Sequence, residues 1–119
     1  MSKEKQGMEH VYIDDVLYEK SPMGFDKFLI REGDLKVNLL RYEKGAEIPL
    51  HRHSDDKVEK VILRGEITFT DDNGTITLDE GAMYMCGRGA LYYSGSVNKD
   101  TIIMVIESRD SQIQFPSKD

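Results

Sequence analysis

Gly45-Ala46-Glu47-Ile48-Pro49-Leu50-His51-Arg52-His53 is the stretch on which the fold turns, and Glu59 follows it with five residues between. It holds two of the chain's three histidines, spaced H-x-H. In an extended strand alternate side chains share a face, so His51 and His53 point the same way. Two imidazoles on one face are close enough to share a metal ion, and a nearby carboxylate would complete a ligand set.

The sequence on either side of this stretch reads as strand. Leu35-Lys36-Val37-Asn38-Leu39 alternates apolar and polar, and the run extends to Tyr42 before Glu43-Lys44-Gly45 breaks it. Val58 to Leu63 is an apolar run that ends near Gly65. Ile67–Thr70 and Thr75–Leu78 flank Asp71-Asp72-Asn73-Gly74, and Asn-Gly between β-rich runs marks a hairpin. Asp79-Glu80-Gly81 leads into Ala82–Cys86, Gly87-Arg88-Gly89 turns the chain again, and Thr101–Glu107 is the last strong strand. Short strands with frequent turn signals and no long amphipathic helix indicate an all-β sandwich or barrel.

Composition narrows the function classes. A chain of 119 residues suits one compact domain. We read 1–10 as a flexible N-terminal segment, 11–110 as the barrel domain and 111–119 as a polar tail. The net charge of −6 without a basic cluster argues against nucleic acid and anionic membrane as partners. A single cysteine, Cys86, excludes an internal disulfide, and with no signal-like N-terminus or long apolar run the expected location is cytoplasmic. Gly87-Arg88-Gly89 lacks the strand-to-helix setting of a phosphate loop.

These turns and spacings resemble the cupin superfamily, small jelly-roll barrels also called double-stranded β-helices. Its first motif is a glycine, five residues, His-x-His, three or four residues, a glutamate, six residues and a glycine. Gly45, Pro49, His51, His53 and Gly65 match it. Its second motif is a glycine, five residues, Pro-x-Gly, two residues, a histidine, three residues and an asparagine. Gly81 and Gly89 match, while Gly87 replaces the proline and Tyr92 falls on the histidine. The resemblance covers about Leu35 to Glu107 and implies a jelly-roll barrel with a central cavity. It implies a divalent transition metal (iron, manganese, nickel, zinc or copper) held by the motif residues.

One departure matters most. Counted back from Gly65, the glutamate position falls on Val58, and Glu59 is one residue late. A one-residue slip in a strand turns a side chain to the other face. In the family register Val58, Lys60 and Ile62 face the cavity. If a bulge absorbs the extra residue, Glu59, Val61 and Leu63 face it instead. The second register keeps the Lys60 ammonium out of the barrel, where burial is costly, and so is favoured. The expected metal ligands are then His51, His53 and Glu59, with Tyr92 in the pocket as a further ligand or hydrogen-bond donor.

Two function classes follow. One is a protein that binds a small molecule in the cavity; the other is a metal-dependent enzyme of dioxygenase or isomerase type built on two histidines and one carboxylate. The altered second motif favours the binder and the intact H-x-H favours the enzyme. Asp55-Asp56 and His10 read as surface residues, Cys86 as a small buried hydrophobe, and Met83, Met85 and Met104 as core or interface packing. Of Tyr92 and Tyr93 only one can face inward. Arg41, Arg52, Lys60 and Arg88 could meet an anion at the barrel mouth. Apolar residues of both parities in 35–42 and 101–107 predict that both sheet faces are covered, the outer one in a homodimer.

Overall fold

The computed structural model describes residues 7–21, 24–54, 58–86 and 91–116. Its strands are β1 (Glu19–Lys20), β2 (Asp26–Glu32), β3 (Leu35–Tyr42), β4 (Glu47–His53), β5 (Val58–Asp71), β6 (Gly74–Asp79), β7 (Met83–Cys86), β8 (Tyr93–Ser108) and β9 (Ile113–Gln114). Every pairing is antiparallel. The fold is an all-β jelly roll, as the sequence indicates.

β5 and β8 are longer than the runs legible in the sequence because each passes from one sheet to the other. The first half of β5 pairs with β7 and with the second half of β8, which continues to β3. The second half of β5 pairs with β6 and with the first half of β8, whose other neighbour is β4. Register shifts between Ile62 and Ile67 mark the crossing. Gly65 lies there with φ of +104°, and a Cβ on it would strike Thr101 Oγ1 and lie 2.6 Å from the Asp100 carbonyl oxygen. Only glycine tolerates both conditions. The buried Thr101 hydroxyl in turn accepts from the Glu66 amide at 3.1 Å and donates to the Lys99 carbonyl at 2.7 Å, which satisfies the backbone at the bend.

The core lies between the two sheets. Val58, Ile62, Ile67 and Ile103 are almost fully buried there, beside Phe69, Val97 and Val105. Each such side chain contributes about 1.5–3 kcal/mol through burial. The β5–β6 hairpin forms as expected, but Asp72 and Asn73 are the loop and only Gly74 takes a positive φ.

One expectation needs correction. The segment read as a tail returns to the barrel: Ile113 and Gln114 pair with His53 and Arg52, and Ser111–Ile113 line the central cavity. The outer residues Leu39 and Ile102, 1% and 5% exposed, lie outside the inter-sheet core, on the face where the chain's own N-terminal segment crosses. Arg64 on β5 donates to Asp14, while Tyr18 sits under the Arg41 guanidinium on β3 and edge-on to Phe28 on β2. Val61, Met83, Met85, Met104 and Ile106 remain as an apolar area farther along that face, with Met83 and Met85 exposed and therefore not core. Among the described residues no helix is long and apolar enough to cross a membrane.

Candidate functional site

β4 presents its histidines inward by an irregularity. Ile48 pairs with Gly95 and His51 with Tyr93, so β4 carries one extra residue between them. A proline has no amide to give the ladder and is tolerated at such a bulge, which is where Pro49 stands. The result is that Ile48, His51 and His53 are all buried. His51 Nδ1 donates to the Pro49 carbonyl at 2.7 Å. That bond fixes the tautomer and leaves Nε2 as the acceptor. Burial holds the His51 pKa below its usual value, the Pro49 bond opposes this, and the Lys60 charge adds to the lowering.

β5 has no bulge at the matching level. It pairs Val58 with Cys86, Glu59 with Met85 and Lys60 with Tyr84 in continuous register, and its irregularity comes later, after Ile62. Val58 and Lys60 are therefore buried and Glu59 is exposed on the outer face, beside Met85 and Ile106. The family register holds, and the expected Glu59 ligand lies outside the cavity. Lys60 is inside at 8% exposure. Its Nζ is 3.1 Å from His53 Nε2 and 2.9 Å from Tyr93 Oη, and those two atoms are 3.3 Å apart. An ammonium has donors only, so His53 Nε2 and Tyr93 Oη both accept from it. The cost that argued against an inward lysine is offset by these bonds and by the faces of Tyr84 and Tyr93, 5.7 and 5.6 Å from Nζ.

Tyr93, and not Tyr92, is the inward tyrosine. Its ring packs 4.5 Å from that of His51, whereas Tyr92 lies against the Arg52 guanidinium and away from the cavity lining. Arg52 is held by Gln114 and Arg41 by Asp26, so neither reaches the cavity. Asp55, Asp56 and Arg88 lie outside the described residues.

The cavity measures about 330 Å³. His51, His53, Ile48 and the Ser111–Ile113 segment line one side, and Lys36, Asn38, Leu40, Tyr42, Lys60, Val105 and Glu107 line the other, with Phe25 and Lys27 also on its wall. Lys36 pairs with Glu107 at 3.9 Å. Burial raises the Tyr42 phenol, which stays neutral. Asn38 is 2% exposed, and its Oδ1 has no hydrogen-bond partner. The alternation of β3 was a usable signal for Asn38, since an inward Tyr42 places Leu40, Asn38 and Lys36 on the same face. Lys27 and the 111–113 segment had no such signal.

The donor set does not fit the metal implied by the resemblance. His51 Nε2 is suitably oriented, since metal-bound imidazoles commonly donate their other nitrogen to a carbonyl. But His53 Nε2 accepts from Lys60, Val58 fills the glutamate position, and Glu59 faces away. Among the described residues no group of three or more His, Cys, Asp or Glu side chains is placed to hold an ion.

Solved structures share this architecture. A cupin-2 domain containing protein from Shewanella frigidimarina is 26% identical, with a TM-score of 0.61 over 70% of this chain and 79% of that one. A cupin-superfamily sugar phosphate isomerase from Silicibacter pomeroyi is 19% identical, with a TM-score of 0.72 over 93% and 83%. The polyketide cyclase RemF from Streptomyces resistomycificus is 17% identical, with a TM-score of 0.77 over 95% and 89%. No protein-family model matches the chain, and no curated protein does.

Proposed function

Because the chain is a single cupin-fold domain, we propose that it binds a small organic molecule in the cavity between its two sheets. One observation carries this reading: polar side chains from both sheets converge on a cavity, open on one side, that is otherwise walled by Leu40, Tyr42, Ile48 and Val105. A few placed polar groups on an apolar wall are what a small-molecule site needs. Fold alone assigns no reaction. Ligand-observed NMR against a mixed metabolite library tests the proposal. Hits with the wild type should vanish in Leu40→Trp, which fills the cavity, with circular dichroism reporting that the fold is kept. A library that yields no hit, or hits that survive the filling, would refute it.

The metal-dependent enzyme has one observation in its favour, the ligand-like tautomer of His51. It would require a third ligand other than Glu59. We also propose that the apolar area around Val61, Met83, Met85, Met104 and Ile106 pairs two copies as a homodimer. A monodisperse monomer by light scattering at micromolar concentration would rule that out.

A further inference from the structure

We infer that Asn38 is the specificity-determining residue of this cavity, and that the ligand is an amphipathic molecule whose polar head, a hydroxyl or N–H group, donates a hydrogen bond to Asn38 Oδ1. The inference rests on the small-molecule reading above and names the class of molecule.

The cavity is polarised along β3. Lys36, Asn38, Leu40 and Tyr42 all line it, so neighbours in this row are roughly 7 Å apart along the strand. At one end Lys36 pairs with Glu107. The turn after β8 lies at the same end: the Arg109 amide donates to the Asp34 carbonyl, and the Ser111 amide to the carbonyl of Ser108, which pairs with Leu35. Ser111 Oγ, on the cavity wall, is buried and has no hydrogen-bond partner among the described residues. At the other end the Tyr42 ring packs 5.4 Å from that of Phe25, and Leu40 and Ile48 continue the apolar wall.

Asn38 stands where the two halves meet. It pairs with Val105, and Leu40 is the next inward residue of its strand, so its carboxamide is set beside an apolar surface. It is 2% exposed, yet its Oδ1 has no hydrogen-bond partner among the described residues. Asparagine is a poor strand former, and a leucine here would extend the apolar wall without leaving a polar atom unpaired. A buried acceptor without a donor is costly unless something supplies one. Ether and carboxylate oxygens only accept and would leave Oδ1 unsatisfied, whereas a hydroxyl or an N–H group donates to it. His51 Nε2, on the facing sheet, is likewise an acceptor. With its head at Asn38, the rest of the ligand lies over Val105, Leu40 and Ile48 toward Tyr42, and that surface calls for an apolar body.

The test uses 4-butylphenol and 4-butylanisole, which share an apolar body and differ in that the ether has lost the donor. NMR titration of the wild type should show the phenol bound tighter by about tenfold or more, because the ether leaves a buried acceptor unpaired. Asn38→Leu should abolish that preference. A preference that came from the extra methyl of the ether, or from donation to His51, would survive in Asn38→Leu and would overturn the inference. Equal binding of the two probes to the wild type would overturn it as well. Asn38→Leu should also leave the urea unfolding midpoint unchanged or raised, since it removes an unsatisfied acceptor and buries an apolar side chain in its place. A variant that unfolds, or a midpoint that drops sharply, would make Asn38 a structural residue and would overturn the assignment. If neither probe binds while library members bind and are lost in Leu40→Trp, the inference falls and the small-molecule reading stands. If nothing binds at all, both fall.

Discussion

β4 and β5 face each other across the cavity and treat their motif residues in opposite ways. β4 spends an extra residue at Pro49-Leu50 and so turns His51 and His53 inward together with Ile48. β5 runs in unbroken register from Val58 to Ile62, so Glu59 goes out and Lys60 goes in. One strand keeps the imidazole half of a metal site and the other replaces the acidic half with a base. The lesson is that a one-residue irregularity, or its lack, sets the sign of charge presented to a cavity.

The largest effect should come from unlocking the register of β5 at its bend. Gly65→Ala must adopt a φ of +104° and push its Cβ into Thr101 and the Asp100 carbonyl. We expect a loss of about 3 kcal/mol or more in urea unfolding, from strain plus the disrupted Thr101 bonds. A loss under about 1 kcal/mol would mean that the bend relaxes freely and that the facing of Lys60 is not fixed there.

Most of the architecture was legible in the sequence because it is written in local signals. The turns at Gly45, Gly74 and Gly81, the alternation of β3 and the H-x-H face needed only neighbouring residues. The position of Glu59 was not legible, because pairing with β7 and β8 decides it and the cost of burying Lys60 depends on partners that lie on other strands. Those partners, His53 and Tyr93, come from β4 and the start of β8. A count through the second motif points to Tyr92, and the pairing of His51 with Tyr93 reverses that parity. The return of Ile113 and Gln114 to β4 left no trace in a polar tail.

The next effect concerns the cation. Lys60→Met removes a buried ammonium and leaves His53 Nε2 and Tyr93 Oη, already 3.3 Å apart, to bond each other. We expect urea unfolding to change by no more than about 1 kcal/mol, because that contact replaces the two Lys60 bonds. A destabilisation of several kcal/mol would make Lys60 a structural strut instead. The same variant bears on His51. Its folded pKa lies below the ordinary 6.5, so the unfolded chain binds the proton more readily. The stability it contributes is complete above about pH 6.5 and is lost as the pH falls through that value toward the folded pKa. Lys60→Met removes one lowering influence, so the NMR titration of the His51 ring should move upward, toward 6.5.

The smallest expected effect separates the two registers most cleanly. Glu59→Ala removes an exposed carboxylate whose neighbours across the strands, Met85 and Ile106, offer it no charge. Stability should change by less than about 0.5 kcal/mol, as for surface substitutions that break no specific bond. Binding of the metabolite hits in the cavity and metal content should also stay as in the wild type, because the side chain points away from the cavity that Lys60 enters. A change in either would place Glu59 at the site, which requires a bulge before residue 59 that also turns Lys60 out. The two neighbours cannot both face the cavity in a regular strand, so one inert substitution at Glu59 and one consequential substitution at Lys60 fix the register together.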